Sequence, residues 1–430
     1  MHPRARCCSP LCASLLVNML LLAGLVLLAT RHGAVSSRPD DARRACHGNG
    51  MLYADAAVCE CFDCWTGTTC GEKLSSGACT VDVSSGTPYI FEDYWLQHPS
   101  AAVTITPAYH IGYGYDMPPL EAAIRSLHDR VGNARTEGKH VVIGVGSTQL
   151  IASALHAMGK VSGEPGRASA VWSQKPFYSG YRMPPALLQS QLFQWNESDT
   201  PPSSGHVIEL VTSPNNPDGH RRRPASDPLR RSVIMDHAYY WPHFVGITEP
   251  VSYGNDTIAL FTLSKLTGHA SSRIGWAITS NPRLAAAMEE YNYVNGGSPR
   301  ENQLRAIAVL QHTLQHSDAL FSYARRLMLS RWARLGAIFA GSKTYSLEPR
   351  DPPTPDVFAS ITSGYAASPA YAWIKKLDGG DALAAMAAAG IRGRGGPMFG
   401  VASSFVRLEL LMREETFELL AEKLEALVRS

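Results

Sequence analysis

All nine cysteines of this 430-residue chain lie within its first 79 residues. Three of them precede residue 13, and the other six fall between residues 46 and 79. An even number of closely spaced cysteines is typical of a small disulfide-bonded domain, and six cysteines allow fifteen pairings. The sequence therefore predicts a short disulfide-rich segment joined to a long cysteine-free body that builds its own core.

Residues 11–30 form an uncharged, leucine-rich run that follows Arg4 and Arg6. A helix of about 20 residues spans about 30 Å, the thickness of the hydrocarbon core of a bilayer. Positive charges before such a run are typical of secretory signals. Two interpretations of residues 1–45 stay open, a cleaved signal peptide or an uncleaved membrane anchor, each followed by a linker.

Both interpretations predict entry into the secretory pathway, with the endoplasmic reticulum lumen, the vacuole or the extracellular space as the destination. The triplets Asn196-Glu-Ser198 and Asn255-Asp-Thr257 match the glycosylation acceptors of that pathway.

The six cysteines of the disulfide-rich segment are Cys46, Cys59, Cys61, Cys64, Cys70 and Cys79. Cys61 and Cys64 also have the spacing of zinc ligands, but zinc would leave two of the six thiols unused in an oxidising compartment. The run CECFDCWTGTTC resembles the EGF-like domain that opens alliinases and some of their plant relatives. This resemblance implies an EGF-like domain over residues 46–80, with bridges Cys46–Cys59, Cys61–Cys70 and Cys64–Cys79.

The charge balance excludes two broad classes of protein. The chain has 39 basic and 37 acidic residues, and 45% of its residues are hydrophobic. A disordered chain would have lower hydrophobicity or higher net charge. A nucleic-acid-binding protein would carry an excess of basic residues to neutralise phosphates.

From residue 81 onward, short apolar runs alternate with longer helical patterns. The strand candidates are His140–Gly146, His206–Thr212, Ser232–Asp236, Thr257–Leu263 and Arg273–Thr279. Helical patterns dominate the final third, over Glu301–Phe339, Asp381–Ala389 and Glu414–Arg429. Strands separated by helices indicate an α/β fold with a largely parallel sheet. Ligands of such sheets bind at the carboxyl ends of the strands.

Lys265 follows one of these strand candidates, in the sequence Thr262-Leu-Ser264-Lys265. Hydroxyl groups precede the lysine, and Arg273 follows it beyond a glycine and two serines. The hydroxyls and the guanidinium could surround a phosphate while the lysine amine forms a Schiff base with an aldehyde. Pyridoxal phosphate carries both groups, so this segment predicts a site for that cofactor.

Three other segments supply further groups that this cofactor needs. Asp236 ends a strand candidate and would keep the pyridine nitrogen protonated, which makes the ring a stronger electron acceptor. Asn216, in the turn SPNNPDG, would face the phenolate oxygen. The segment GVGST, which ends at Ser147 and Thr148, joins a strand to a helix start that could bind phosphate. Each segment alone fits an ordinary turn or cap, whereas the four together favour a cofactor site.

Residues 81–430 resemble the carboxyl-terminal domain of alliinases and of tryptophan aminotransferase-related proteins. The shared stretches are SPNNPDG, MDHAYYWPH, LFTLSKLTGHASSRIGWA and SPRENQLR. The resemblance implies the fold of a fold-type-I, pyridoxal-phosphate-dependent transferase similar to aspartate aminotransferase. Such a chain has a large cofactor domain with a mostly parallel sheet and a smaller α+β domain made from both chain ends. The resemblance also implies a homodimer.

The resemblance implies roles for individual residues. Lys265 matches the lysine bonded to the cofactor, and Arg407 matches the arginine that binds the substrate's α-carboxylate, an anion that suits a bidentate guanidinium. The implied cofactor-binding residues are Ser147, Thr148, Thr262, Ser264 and Arg273 for the phosphate, Asp236 for the ring nitrogen, Asn216 and Tyr239 for the phenolate, and Tyr178 for stacking. Tyr113 matches a tyrosine that reaches the phosphate from the other subunit, although its stretch is one residue shorter than the family pattern.

Two reactions share these residues. One transfers the amino group of an L-amino acid to a 2-oxo acid, and the other, the alliinase reaction, eliminates a sulfenate from an S-alkyl-cysteine sulfoxide. We favour an aminotransferase for aromatic amino acids such as tryptophan, whose product would be the auxin precursor indole-3-pyruvate. The tryptophan-related branch is the broader one, and the carboxy-terminal cysteines that bridge in alliinases are absent.

The EGF-like segment, in contrast, favours the alliinase reaction. A third hypothesis is a secreted interaction protein without catalysis, against which the complete set of site residues argues.

Overall fold

The structure is a computed structural model that describes residues 45–53, 58–75, 77–105, 117–225, 231–359 and 361–429. The signal or anchor run over residues 11–30 and Tyr113 lie outside these residues. No helix in the described ranges combines the length and the apolar character needed to cross a bilayer. The chain divides into two compact units between residues 76 and 77.

The first unit contains two short antiparallel strand pairs. They are β1 (Gly50–Tyr53) with β2 (Val58–Cys61), and β3 (Trp65–Thr66) with β4 (Glu72–Lys73). Disulfide bonds join Cys46 to Cys59 and Cys61 to Cys70, as the EGF-like resemblance implied. Cys64 and Cys79 are also disulfide-bonded. The predicted disulfide-rich module is therefore confirmed, and its bonds consume the thiols that a zinc site would require.

A seven-stranded sheet lies at the centre of the second unit. Its strands are β6 (His140–Gly144), β7 (Ser169–Trp172), β8 (Phe193–Trp195), β9 (Val207–Thr212), β10 (Arg231–Asp236), β11 (Thr257–Thr262) and β12 (Gly275–Thr279). Their spatial order is β6-β12-β11-β10-β9-β7-β8, and only β12 runs antiparallel to its neighbours. Every residue of β9 is buried, as expected for a parallel strand covered on both faces. The predicted largely parallel α/β sheet is confirmed.

Ten helices are described in the second unit. They are α1 (Glu92–Leu96), α2 (Pro118–Val131), α3 (Gly146–Ser162), α4 (Met183–Leu188), α5 (Leu263–Thr267), α6 (Pro282–Val294), α7 (Arg300–Gln315), α8 (Ser317–Phe339), α9 (Ala382–Ala388) and α10 (Glu414–Arg429). Short 3₁₀ turns lie at Tyr89–Phe91, Pro99–Ala101, Ser179–Arg182, Ala270–Ser272 and Gly396–Phe399. Helices α3 and α6 contribute Leu150 and Met288 to the core that covers one face of the sheet.

A smaller antiparallel sheet has the order β13-β16-β19-β18. Its strands are β13 (Tyr345–Leu347), β16 (Tyr371–Lys376), β18 (Arg394–Gly395) and β19 (Phe405–Glu409). Two further strand pairs are β14 (Thr354–Asp356) with β15 (Ile361–Tyr365), and β5 (Val81–Asp82) with β17 (Ile391–Arg392). Because β5 pairs with β17, this part of the structure uses both ends of the second unit, as the resemblance implied.

The helical prediction over Glu301–Phe339 covers two helices, not one. They are separated at His316, whose φ of −127° and ψ of 30° are not helical. Ser317 and Asp318 follow this residue, and both residue types favour helix starts because their side chains bond to nearby backbone groups. The last helix agrees with its predicted bounds, and it buries Phe417, Leu420 and Leu424.

Leu420→Ala is expected to lower the free energy of unfolding by about 2–5 kcal/mol, because the substitution leaves a cavity at a fully buried position. Leu427→Ala is a matched control in the same helix, and a smaller loss is expected because Leu427 is only partly buried. Urea unfolding monitored by circular dichroism measures both values. Equal losses in the two variants would contradict the described packing of α10.

Candidate active site

Three neighbouring parallel strands end side by side in the large sheet. Thr212 ends β9 and pairs with Asp236, which ends β10. Thr262 ends β11, the next strand. The carboxyl ends of parallel strands share one edge of the sheet, where ligands of α/β proteins bind. The residues that end or follow these strands are therefore brought together.

A cavity of about 190 Å³ opens at this edge. The predicted site residues that line it are Ser147, Thr148, Tyr178, Asn216, Asp236, Tyr239, Thr262, Ser264, Lys265, Arg273 and Arg407. The structure thus brings together every predicted catalytic, cofactor-binding and substrate-binding residue except Tyr113, which lies outside the described residues.

One end of the cavity is suited to an anion. Ser147 and Thr148 lie in the first turn of α3, where backbone N–H groups and the helix dipole favour negative charge. The Arg273 guanidinium lies against Gly146, where a Cβ atom would come within 2.5 Å of Nη2. Gly146 also has a φ of +79°, which favours glycine. This cradle fits a phosphate group.

The segment that carries Lys265 adds further polar groups to the cradle. The Thr262 hydroxyl accepts a hydrogen bond from the Ser264 N–H at 3.2 Å and donates one to the Ser264 hydroxyl at 3.1 Å. Lys265 follows in α5, and its Nζ donates a hydrogen bond to the carbonyl oxygen of Gly86. The amine is therefore held inside the cavity, beside the hydroxyls.

Asp236 is a buried carboxylate at the floor of the cavity, with 4% of its surface exposed. It accepts hydrogen bonds from the Tyr181 hydroxyl at 3.2 Å and from the Ala238 N–H at 3.1 Å. Burial raises the pKa of Asp236 to about 6. Among the described residues, no basic side chain forms an ion pair with it. Such a carboxylate favours a cationic partner, which a protonated pyridine nitrogen would provide.

Three residues form a connected polar group on another wall. The Asn216 amide nitrogen lies 3.4 Å from the Tyr239 hydroxyl, which lies 2.9 Å from the Tyr371 hydroxyl. Burial raises the pKa of Tyr239, so its hydroxyl stays protonated at neutral pH. Asn216 and Tyr239 can thus both donate hydrogen bonds to a phenolate oxygen, as the resemblance implied.

Arg407 has 1% of its surface exposed, and its hydrogen-bond partners are neutral. Its Nη1 donates to Asn216 Oδ1 at 2.9 Å, and its Nη2 donates to the Ser84 carbonyl oxygen at 2.7 Å. Its Nε is buried without a partner among the described residues. A buried guanidinium with an unused donor is suited to a carboxylate ligand.

These groups together fit pyridoxal phosphate and an amino acid. The cradle at Arg273 would hold the phosphate, Asp236 the ring nitrogen, and Lys265 the aldehyde. Asn216 and Tyr239 would bind the phenolate oxygen, and Arg407 the substrate carboxylate. This fit depends on two observations. Among the described residues, the Asp236 carboxylate has no ion pair, and Arg407 Nε has no hydrogen-bond partner.

Several other residues that line the cavity were not predicted from the sequence. They are Ser85, Thr212, Ala238, Ala270, Tyr371 and Arg394. Thr212 and Ala238 lie beside strand ends, so the rule that placed Asp236 could have found them. Tyr371 begins an ordinary apolar strand and carries no such signal. It reaches the site because β16 pairs with β19, which carries Arg407.

The segment over residues 83–86, called the strap below, was also not predicted to belong to the site. Glu409 has 2% of its surface exposed, and its carboxylate accepts hydrogen bonds from the Ser85 hydroxyl, at 3.0 Å, and from the Gly86 N–H. The carbonyl oxygen of Gly86 accepts the hydrogen bond from Lys265 Nζ. Burial raises the pKa of Glu409. The strap therefore connects a buried carboxylate to the lysine of the site.

Comparisons with known proteins agree with this geometry. A family model described as "Allinase" matches residues 81–428. Tryptophan aminotransferase-related protein 3 of Arabidopsis thaliana is 33% identical over 410 residues, which cover 89% of this chain and 87% of that protein. Alliin lyase 1 of Allium sativum is 30% identical over 406 residues, with coverage of 89% and 82%.

A solved aminotransferase from Staphylococcus aureus has a TM-score of 0.58 at 16% identity, and the match covers 81% of this chain and 94% of that one. The likeness shows that the fold is that of the fold-type-I aminotransferases, as predicted.

In the cofactor-free protein, Asp236→Asn is expected to change how the free energy of unfolding depends on pH. Burial raises the pKa of Asp236 from 3.8 to about 6, so the folded protein holds this proton more tightly than the unfolded chain does. The free energy of unfolding of the wild type should therefore fall by about 3 kcal/mol relative to that of the variant as the pH rises through this range. Urea unfolding at pH 4 and pH 7 measures the difference, and a difference independent of pH would contradict the raised pKa.

Gly86→Ala is expected to weaken binding of pyridoxal phosphate by about tenfold or more, equivalent to about 1.4 kcal/mol. A Cβ atom at Gly86 would lie 2.2 Å from the Tyr371 hydroxyl, and its φ of +93° strains any other residue. The close contact and the backbone strain would both displace the strap and Tyr371, which is the hydrogen-bond partner of Tyr239. Gly254→Ala is the control, because a Cβ there meets no atom within 4 Å. Titration of the visible cofactor band should separate the two variants, and equal affinities would argue against a fixed strap.

Proposed function

The chain belongs to the alliinase family, and from that premise we propose that it is a pyridoxal-phosphate-dependent aminotransferase acting on L-amino acids. The observation that carries this proposal is the convergence of Lys265, Asp236 and Arg407 on one cavity. An amine, a partner for a ring nitrogen and a site for a carboxylate are what amino-acid chemistry on this cofactor requires.

Alliinases and fold-type-I aminotransferases use pyridoxal phosphate. When bound, this cofactor supplies an aldehyde that combines with amines and a ring that accepts electrons from the substrate's Cα. Asp236 would make the ring a better acceptor, because its buried carboxylate would stabilise a positive charge on the ring nitrogen.

Lys265 is the residue that moves the proton. With the cofactor bound, Lys265 Nζ would hold its aldehyde, and beside the substrate's Cα the same amine would serve as the general base that takes the Cα proton. In amino transfer, Lys265 would carry that proton away from Cα, the bound cofactor would keep the amino group, and the amino acid would leave as its 2-oxo acid. The hydrogen bond to the Gly86 carbonyl oxygen holds Nζ on the cavity side of α5.

Arg407 fixes the orientation of the substrate. Its guanidinium binds the α-carboxylate, and the hydrogen bond from Nη1 to Asn216 Oδ1 ties it to the wall that faces the phenolate. The substrate's Cα is thereby positioned between the carboxylate site and Lys265, and such positioning contributes strongly to rate.

An aromatic donor such as tryptophan is supported by two observations. Tyr178, Tyr239 and Tyr371 all line the cavity, and an aromatic lining favours an aromatic side chain. The relative from Arabidopsis thaliana is named a tryptophan aminotransferase-related protein. The amino acid would leave as its 2-oxo acid, which for tryptophan is indole-3-pyruvate.

A carbon–sulfur lyase is the second candidate. The relative named alliin lyase 1 supports it at 30% identity, and so does the disulfide-rich first unit. In that reaction, Lys265 would remove the Cα proton, and a sulfenate would then leave from the substrate's Cβ. The same residues serve both reactions, so the products must distinguish them.

The disulfide bonds of the first unit support a location in the secretory pathway, because such bonds persist in oxidising compartments. The homodimer and the contribution of Tyr113 from the second subunit stay predictions.

The protein, produced in an oxidising secretory host and supplied with pyridoxal phosphate, is expected to convert tryptophan and pyruvate into indole-3-pyruvate and alanine. Mass spectrometry of the products measures the reaction, which should require the acceptor. Lys265→Ala should abolish the visible band of the bound cofactor and lower turnover by about 10²- to 10⁴-fold, the usual contribution of a general base.

The outcomes of this assay separate the alternatives. Pyruvate and ammonia formed from an S-alkyl-cysteine sulfoxide, without an acceptor, would establish the lyase and overturn the proposal. A protein that binds no pyridoxal phosphate and forms no product in either assay would favour the non-catalytic hypothesis. A Lys265→Ala variant that keeps the wild-type band would refute the role of Lys265.

A further inference from the structure

Two arginines lie opposite each other where the small sheet meets the cavity. Arg394 of β18 pairs with Arg407 of β19 in the antiparallel register. Directly opposite residues of an antiparallel pair project from the same face, and both of these side chains line the cavity. Like charges in this arrangement repel each other. The pair therefore favours a ligand with negative charge.

The contacts of the two guanidinium groups leave that charge uncompensated. Arg394 Nη1 donates to the Ser179 hydroxyl at 3.5 Å, which is a long hydrogen bond. Arg407 donates to an amide oxygen and a carbonyl oxygen. Within the described ranges, no carboxylate forms an ion pair with either residue. Each arginine can thus accept an anionic partner.

A charge count assigns the two arginines different partners. The cationic side chains that line the cavity are Lys265, Arg273, Arg394 and Arg407, and its lining carboxylate is Asp236. In the proposed function, Lys265 combines with the aldehyde, Arg273 binds the phosphate and Arg407 binds the α-carboxylate. Of the cations in this described lining, Arg394 then has no anionic partner.

We propose that Arg394 binds the second carboxylate of a dicarboxylic 2-oxo acid, whose first carboxylate lies on Arg407. This inference rests on the proposed aminotransferase function and names the class of its amino acceptor. A guanidinium binds a carboxylate through two parallel hydrogen bonds, and partial burial strengthens such a pair. A monocarboxylic acceptor such as pyruvate binds through Arg407 alone and therefore more weakly.

Binding can be measured without any reaction. Glutarate and pentanoate both have five carbons and neither an amino nor a keto group, and they differ in that glutarate has a second carboxylate. Calorimetry on the holoenzyme, at constant ionic strength, is expected to show that glutarate binds about 10- to 100-fold more tightly. Arg394→Met should remove this advantage while pentanoate still binds, which also shows that the variant is folded. Arg394→Gln serves the same purpose if Arg394→Met does not fold.

Arg392→Met is the matched control. Arg392 lies two residues before Arg394, is exposed, and pairs with Asp82 at 3.1 Å. This variant should bind glutarate as the wild type does. Equal affinities of the wild type for glutarate and pentanoate would overturn the inference. It would also be overturned if Arg394→Met kept the advantage of glutarate, or if Arg392→Met lost it.

Steady-state kinetics separate this inference from the proposed function. In the Arg394→Met variant, KM for 2-oxoglutarate should rise about 10- to 100-fold, and KM for pyruvate should rise far less. If both acceptors are aminated with unchanged KM values, the aminotransferase stands and the role of Arg394 is wrong. If neither is aminated but glutarate binding still depends on Arg394, the dicarboxylate site stands and the proposed reaction is wrong.

Discussion

A carboxylate and a guanidinium face the same cavity, both almost fully buried and neither in an ion pair among the described residues. Asp236 and Arg407 have lost most of their hydration, and removing a charge from water is costly unless a partner replaces it. The fold provides part of that replacement through fixed neutral dipoles, from Tyr181 and Ala238 on one side and Asn216 on the other. These dipoles do not replace all of the lost hydration. Asp236 therefore favours a cationic group of a ligand, and Arg407 favours an anionic one.

The site could be predicted from the sequence wherever its chemistry is local. Lys265, Ser264 and Thr262 adjoin one strand, and Asp236 ends another, so the topology of a parallel sheet was sufficient to bring them together. Five of the seven strands of that sheet were predicted to within a few residues, because each is a largely buried apolar run, whereas the short strands β7 and β8 were not predicted. The break at His316 was missed because the helical pattern continues across it.

Contacts between distant segments could not be predicted. Tyr371, Arg394 and Glu409 belong to the site because short strands of the small sheet pair across long stretches of chain. None of them adjoins a motif, and their residue types are common on any strand. The same holds for the strap, whose Ser84 and Gly86 reach the site through hydrogen bonds to residues more than 170 positions away. Only the family resemblance pointed to Arg407.

The pairing of β5 with β17 has a consequence for how such sites diverge. Val83, just after β5, donates a hydrogen bond to the Arg392 carbonyl oxygen, and its own carbonyl oxygen accepts one from Glu409. The strap that holds the lysine and the turn that leads to Arg394 are therefore anchored on one strand pair. A shift in either segment would displace the other, so a single substitution is poorly suited to altering the choice of acceptor. Natural variants with a new preference should carry coordinated changes in these two short segments, and directed evolution would do best to randomise both at once.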